Sequence, residues 1–205
     1  NAFLRSVLAA SDPVRGGDRD LRVADLLADA SRRLESELAG QPAVECDLRA
    51  TLGETYYNLG RLEEAESELE RALELARRSG RSAGSTAPIA LARAKTLNGL
   101  GRWSDAEGDL RATLARLEPA TENAALRGAL LDGLAVALQN QGRKEEAIAV
   151  GREAVALLRT TSSADAALAS ARNNLAIALG NAGELAAAET LHREAVEIAL
   201  RTYGE

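Results

Sequence analysis

Methionine is absent from this 205-residue chain, and cysteine, histidine, tryptophan and phenylalanine occur once each. A lone Cys46 excludes an internal disulfide and leaves the redox compartment open. One cysteine and one histidine are too few for a metal centre, which gathers several such ligands, and they offer no nucleophile held by a base. No cofactor is therefore assigned. With aromatics at 2%, the core has to be built from Ala, Leu, Val and Ile. Lysine is confined to Lys95 and Lys144 among 25 basic residues, a bias of coding composition from which no function is read. A net charge of −6 gives no electrostatic hold on phosphate backbones and excludes a nucleic-acid partner. Long hydrophobic runs are missing too: the best candidate, residues 124–138, is interrupted by Arg127 and Asp132 and falls short of the roughly 18 residues that read as a spanning helix. No direct membrane insertion is expected. The chain opens at Asn1 with neither methionine nor a signal-type segment, and it is read as part of a longer polypeptide.

What is present is a repeat. Gly60, Gly101, Gly142 and Gly183 lie 41 residues apart, and five residues after each stands an alanine: Ala65, Ala106, Ala147 and Ala188. Self-similarity at such a period marks a stack of supersecondary units that bury their apolar faces only against one another. Before each glycine, leucines recur at spacings of three and four, as in Leu48, Leu52, Tyr56 and Leu59, or Leu130, Leu134 and Leu138, the pattern of an amphipathic helix. The glycine then ends that helix, with a following Arg in three units near the negative end of its dipole. A second helix starts at once, with carboxylates in its first turn in three of the four. Small residues recur where paired helices must approach: Gly53, Ala94, Ala135 and Ala176 in the first helix, Ala72, Thr113, Ala154 and Ala195 in the second.

The fold class predicted is all-α, a right-handed α-solenoid of helical hairpins in one continuous domain. Residues 1–40 form N-terminal capping helices, a degenerate leading unit with a short helix over Ala2–Ala10, a loop from Ser11 to Gly17 and a second helix over 20–39. The full units are 41–80, 81–120, 121–162 and 163–205, separated by breakers at Ser79–Pro88, Glu118–Glu122 and Thr160–Asp165. Leu191 and Ile198 are expected to face a further helix, as if the array were cut short.

These residues resemble the tetratricopeptide repeat family, in which the first helix carries Leu-Gly and Tyr and the second spaced alanines; Leu52-Gly53, Tyr56, Gly60, Ala65 and Ala72 match. The family's usual unit has 34 residues, and the longer period here, with Asn173-Asn174-Leu175-Ala176 and Arg201-Thr202-Tyr203-Gly204, is similar to the kinesin light chain-like subtype. A narrower resemblance covers residues 3–78: Phe3-Leu4, Ser11-Asp12-Pro13, Val23-Ala24-Asp25-Leu26-Leu27, Gln41-Pro42 and Leu52-Gly53-Glu54-Thr55-Tyr56 are similar to the C-terminal repeat region of bacterial membrane-tethered Ser/Thr protein kinases. That likeness implies a bacterial protein tethered through its parent. The chain carries none of the kinase motifs, so phosphoryl transfer is implied only for that parent.

No covalent chemistry is assigned to the segment itself. His192, at the register of Leu69, Leu110 and Gly151, reads as a packing residue, Cys46 as a small buried side chain, and Trp103 as a wedge in its turn. The cluster Glu63, Glu64, Glu66, Glu68, Glu70 and Glu74 reads as a solvated face, with Glu74 placed to pair with Arg78. The resemblance places a concave groove along the first helices. One register holds Ala50, Leu91, Asp132 and Asn173; the next Glu54, Lys95, Val136 and Ile177; then Tyr57, Asn98, Gln139 and Gly180; then Asn58, Gly99, Asn140 and Asn181. Repeated carboxamides each offer a donor and an acceptor and can grip an extended peptide without demanding sequence. Arg49 and Arg172 stand near Lys95, but Glu54 and Asp132 oppose a clamp for a free C-terminal carboxylate. The expected function is binding of a protein or peptide partner in this groove. The alternative is self-association that clusters the parent.

Overall fold

The computed structural model describes residues 23–161 and 165–204; the helix expected at Ala2–Ala10 and the loop from Ser11 to Gly17 lie outside them. The chain divides into two compact units, one ending at Arg81 and the other starting at Ser82. Unit 1 contains α1 (Val23–Glu37), α2 (Pro42–Asn58) and α3 (Leu62–Arg78). Unit 2 contains α4 (Ala83–Gly99), α5 (Trp103–Arg116), a 3₁₀ turn (Thr121–Asn123), α6 (Ala124–Asn140), α7 (Lys144–Arg159), α8 (Asp165–Asn181) and α9 (Leu185–Tyr203). Every regular element among the described residues is helical.

The recurring glycine makes the hairpin. At Gly101 the backbone takes φ 74°, and no heavy atom lies within 4 Å of the place a Cβ would occupy, so the left-handed angle, not space, selects glycine. The Gly101 N–H donates to the Asn98 carbonyl at 3.2 Å and the Arg102 N–H to the Leu97 carbonyl at 2.9 Å, the paired bonds of a Schellman end. The same two bonds recur at Gly60, Gly142 and Gly183. Arg102 already accepts the first bond of the next helix, from the Ala106 N–H at 3.1 Å, so the alanine five residues on is where the second helix locks. The arginines after the glycines are also tied to that second helix. Each is its N-terminal cap residue, and Arg61, Arg102 and Arg143 pair with Glu64, Asp105 and Glu146 three residues on.

Close approach explains the small residues. A Cβ on Gly53 would lie 2.5 Å from Leu69 Cγ across the α2–α3 hairpin, and Ala94, Ala135 and Ala176 at the same register are buried. A Cβ on Gly128 would lie the same 2.5 Å from Leu158 Cγ. In unit 2, Ala94, Leu97, Leu110, Leu130, Leu134 and Leu138 form one aliphatic core across α4, α5 and α6, and a further group joins Leu158 of α7 to Leu168 and Ala171 of α8 and Ile198 of α9. Unit 1 buries Leu34, Leu38, Cys46, Tyr56, Leu69 and Ala72; the Cys46 Sγ donates to the Ala72 carbonyl at 3.2 Å.

Three expectations are corrected. The stretch Ser79–Pro88 is not a linker throughout: the Ser82 hydroxyl accepts from the Ser85 N–H, α4 starts at Ala83, and Pro88 lies inside it. Pro88 is exposed and removes one backbone bond, to the Gly84 carbonyl early in the helix, which the serine cap helps to offset. Ile198 is buried against α7 and α8, and Leu191 packs on the α7–α8–α9 cluster, so neither waits for another helix. Glu68 leaves the solvated face: it is buried and bonded to Arg49 at 2.9 Å and to the Ser31 hydroxyl.

Candidate interaction surface

In unit 2 each first helix sits against its own second helix, and α6 and α8 also sit against the hairpin before them. Helix α4 packs on α6, and α6 on α8, while no comparable packing joins α5 to α7 or α7 to α9 among the described residues. Rows that touch are on the crowded side of a curved stack, so α4, α6 and α8 form its inner wall.

The predicted groove residues divide between the units. Glu54, Tyr57 and Asn58 are exposed on α2 in unit 1. On the inner wall of unit 2, Lys95, Asn140 and Asn181 are exposed, Ile177 is 40% exposed, and Val136 and Gln139 are half-buried. Leu91 is drawn into the core, where its Cδ1 would lie 3.2 Å from a Cβ on Gly133. Asn98 is half-buried and its Oδ1 accepts no hydrogen bond.

Two expected contacts are instead used internally. Asp132 on α6 accepts from Asn174 Nδ2 at 3.0 and 3.1 Å and from the Ser170 hydroxyl at 3.3 Å, both on α8. Burial pushes its carboxyl above the usual range, opposed by those bonds and by the charge of Lys95. Asp132 is thus a clasp between inner helices. Asn173 Oδ1 lies 3.1 Å from His192 Nδ1 on α9, which gives the half-buried His192 a polar partner where only packing was expected. Neither basic neighbour reaches an open groove: Arg49 is buried between Glu45 and Glu68, and Arg172 pairs with Glu194 at 3.2 Å. Sequence reasoning missed Ser170 and Asn174 as ligands of Asp132. Their spacing of four on one helix was the available signal.

A second clasp ties the hairpins behind the wall. Glu107 on α5 accepts from Arg143 at 2.7 Å, from Gln141 at 2.9 Å and from Arg111 at 2.8 Å. Burial alone would raise its carboxyl, but these donors outweigh it and hold the group down at about 2. Unit 1 has its own open cleft of about 820 Å³. It is lined by Glu35, Glu45 and Glu74 with Arg49, Arg71 and Arg78, a balance of signs that favours neither acidic nor basic ligands.

No cluster of His, Cys, Asp or Glu among the described residues could hold a metal ion, and no described helix is long and apolar enough to cross a membrane. Two models of the tetratricopeptide repeat match the chain, one over residues 46–118 and the other over 128–165 and again over 168–205. The chain belongs to the tetratricopeptide repeat family. Among solved structures, BtubC (BKLC) of P. vanneervenii is similar with a TM-score of 0.70 at 20% identity, over 100% of this chain and 94% of that one. A provisional kinesin light chain of Podosopora anserina, built of nearly identical TPR-like repeats, gives 0.63 at 18% over 100% and 96%. MamA from residue 41 to its end, of Desulfovibrio magneticus RS-1, gives 0.62 at 14%, also over 100% and 96%. A comparison with curated proteins gives no match. Identities this low carry the solenoid fold and nothing finer. Tetratricopeptide repeats typically mediate protein–protein contacts, on a fold that is generally not catalytic.

Proposed function

We propose that this tetratricopeptide repeat segment binds an extended peptide or a partner's helix along the inner wall formed by α4, α6 and α8. The observation that carries the reading is the row of open side chains on that wall: Lys95, Asn140 and Asn181, with the 40% exposed Ile177 beside them. Exposed amides supply donors and acceptors for a foreign backbone, and an exposed isoleucine supplies an apolar seat. On α2 of unit 1, Asn58 offers a further open amide and Tyr57 a further apolar surface, beside Glu54. The clasps at Asp132 and Glu107 support the reading indirectly, because a wall held rigid before binding loses less freedom on binding.

The test is a peptide selected from a display library on the chain and titrated against Asn140→Ala/Asn181→Ala and Ile177→Asp. The expected result is a loss of about tenfold or more in each, on the order of the 1.4 kcal/mol that a tenfold change represents. Unchanged affinity with intact helicity sends the site elsewhere.

The likeness of residues 3–78 to the repeat region of bacterial Ser/Thr kinases supports a parent in which the module regulates a membrane-tethered kinase. Kinase motifs encoded upstream of Asn1 in the parent gene are the expected finding; an unrelated upstream domain overturns that part.

A further inference from the structure

The open cleft of unit 1, about 820 Å³, has the size of a small-ligand site, and its polar groups are unevenly used. Arg49 lines it while only 2% exposed. That guanidinium engages Glu45 through Nε at 2.7 Å and Glu68 through Nη1 at 2.9 Å. Its Nη2 has no hydrogen-bond partner among the described residues, and in a side chain this buried an unmade hydrogen bond is costly. Arg78 and Glu74 on α3 approach to 3.9 Å and largely cancel. Arg71, three residues before Glu74 on the same stripe of α3, and Glu35 on α1 are exposed, line the cleft, and make no hydrogen bond or ion pair with any described residue. The cleft thus holds one unmet buried donor, one unpaired cation and one unpaired anion.

The class of ligand follows from that set. The charge of Arg49 is already met by Glu45 and Glu68, so an anion at Nη2 would sit beside two carboxylates and be repelled. A neutral acceptor such as a carbonyl oxygen would not. Arg71 suits a carboxylate, which a guanidinium fork can hold with two bonds, and Glu35 suits a cation. A molecule with a carbonyl between an ammonium group and a carboxylate meets all three, and the smallest of that kind built from amino acids is a dipeptide. The volume leaves space beyond a dipeptide, and Leu38 and Leu75, which also line the cleft, offer an apolar seat for a side chain.

We propose that the unit 1 cleft binds a short peptide with free ends, its carboxylate on Arg71, its ammonium group on Glu35 and a backbone carbonyl on Arg49 Nη2. The end contacts are made by solvated side chains in an open cleft, where ion pairs are weak, so the dissociation constant is on the order of 1 mM.

Titration of the chain with alanyl-leucyl-alanine, followed by the amide chemical shifts of α1, α2 and α3, is the test. The expected result is saturable binding that C-terminal amidation or N-terminal acetylation of the peptide each weakens about fivefold or more. Arg71→Gln should weaken the free peptide by a similar factor and leave the amidated one unchanged. Glu35→Gln should do the same for the free peptide and leave the acetylated one unchanged. Both positions are exposed, and circular dichroism confirms that the variants keep their helicity. No shift of these amides at about 10 mM peptide, equal affinity for free and blocked peptides, or a variant that weakens free and blocked peptides alike overturns the proposal.

Discussion

Unit 1 and unit 2 are built on one repeat rule and held by different chemistry. In unit 1 the three helices meet on a buried ionic network: Ser31 of α1, Arg49 and Glu45 of α2, and Glu68 of α3. One repeat on, the positions of Arg49 and Glu68 are Ala90 and Asp109; two repeats on they are Leu131 and Val150. Unit 2 closes mainly on aliphatic clusters; its ion pairs lie at the rim, as between Glu107 and Arg143, or half-buried, as between Arg93 and Asp109 at the register of Glu68. The repeat thus specifies how helices turn and how close they come. It leaves open whether the space between hairpins is filled with methyl groups or with a satisfied charge cluster.

The largest effect should separate the two units most sharply. Arg49→Met leaves Glu68 buried without its cation and should cost about 3–5 kcal/mol, whereas Arg49→Met/Glu68→Leu should regain most of it, because an apolar replacement of the whole pair avoids the desolvation cost. Urea denaturation followed by hydrogen exchange in α2 and α3 checks this. A double variant as unstable as the single one would mean that the network is irreplaceable. In unit 2, Leu138→Ala removes a fully buried side chain and should cost about 3 kcal/mol with no charge partner able to rescue it. Trp103, the sole tryptophan, lies in this unit, so its fluorescence follows the transition.

A smaller effect sharpens the shared geometry. Gly53→Ala places a methyl 2.5 Å from Leu69 Cγ and should cost roughly 1–2 kcal/mol, the strain of overpacking less the helix propensity gained. Ala135→Gly, at the same register in unit 2, should cost about 1–2 kcal/mol, through lost helix propensity together with the loss of a buried methyl. Thermal melts of both distinguish steric from backbone effects.

The smallest effect is a pH dependence of the unit 2 rim. Glu107 is held at about 2, below its ordinary 4.5, so its contribution to stability is present above about pH 4.5 and is lost as pH falls from there towards 2. With solvent screening at a rim site, that contribution is on the order of 1 kcal/mol. Denaturation midpoints of the native chain and of Glu107→Gln should converge as pH falls through this window; a constant gap would show that the clasp carries no charge-dependent stability.

Much of the fold was legible residue by residue. The 41-residue ruler located every hairpin turn, because a glycine at positive φ and the alanine that locks the next helix are both demands of the local backbone. The small residues announced close helix approach for a similar reason. The boundary of α4 was misread because Pro88 was weighed as a breaker while the Ser82 cap was not. The candidate wall was legible as a set of registers, since residues 41 apart on equivalent helices must face alike. Which members stayed open was not: Asp132 and Leu91 share a register and both withdrew, one into a hydrogen-bonded clasp and one into the core.

Period, turn chemistry and helix contact stripes follow from the sequence alone, because they depend on backbone angles and on spacings within a few residues. The buried Arg49–Glu68 pair, the Asp132 clasp and the Glu107 rim cluster were decided only by tertiary structure. Each joins side chains from different helices, and whether a charge is buried, paired or free depends on distances that exist only once those helices have packed.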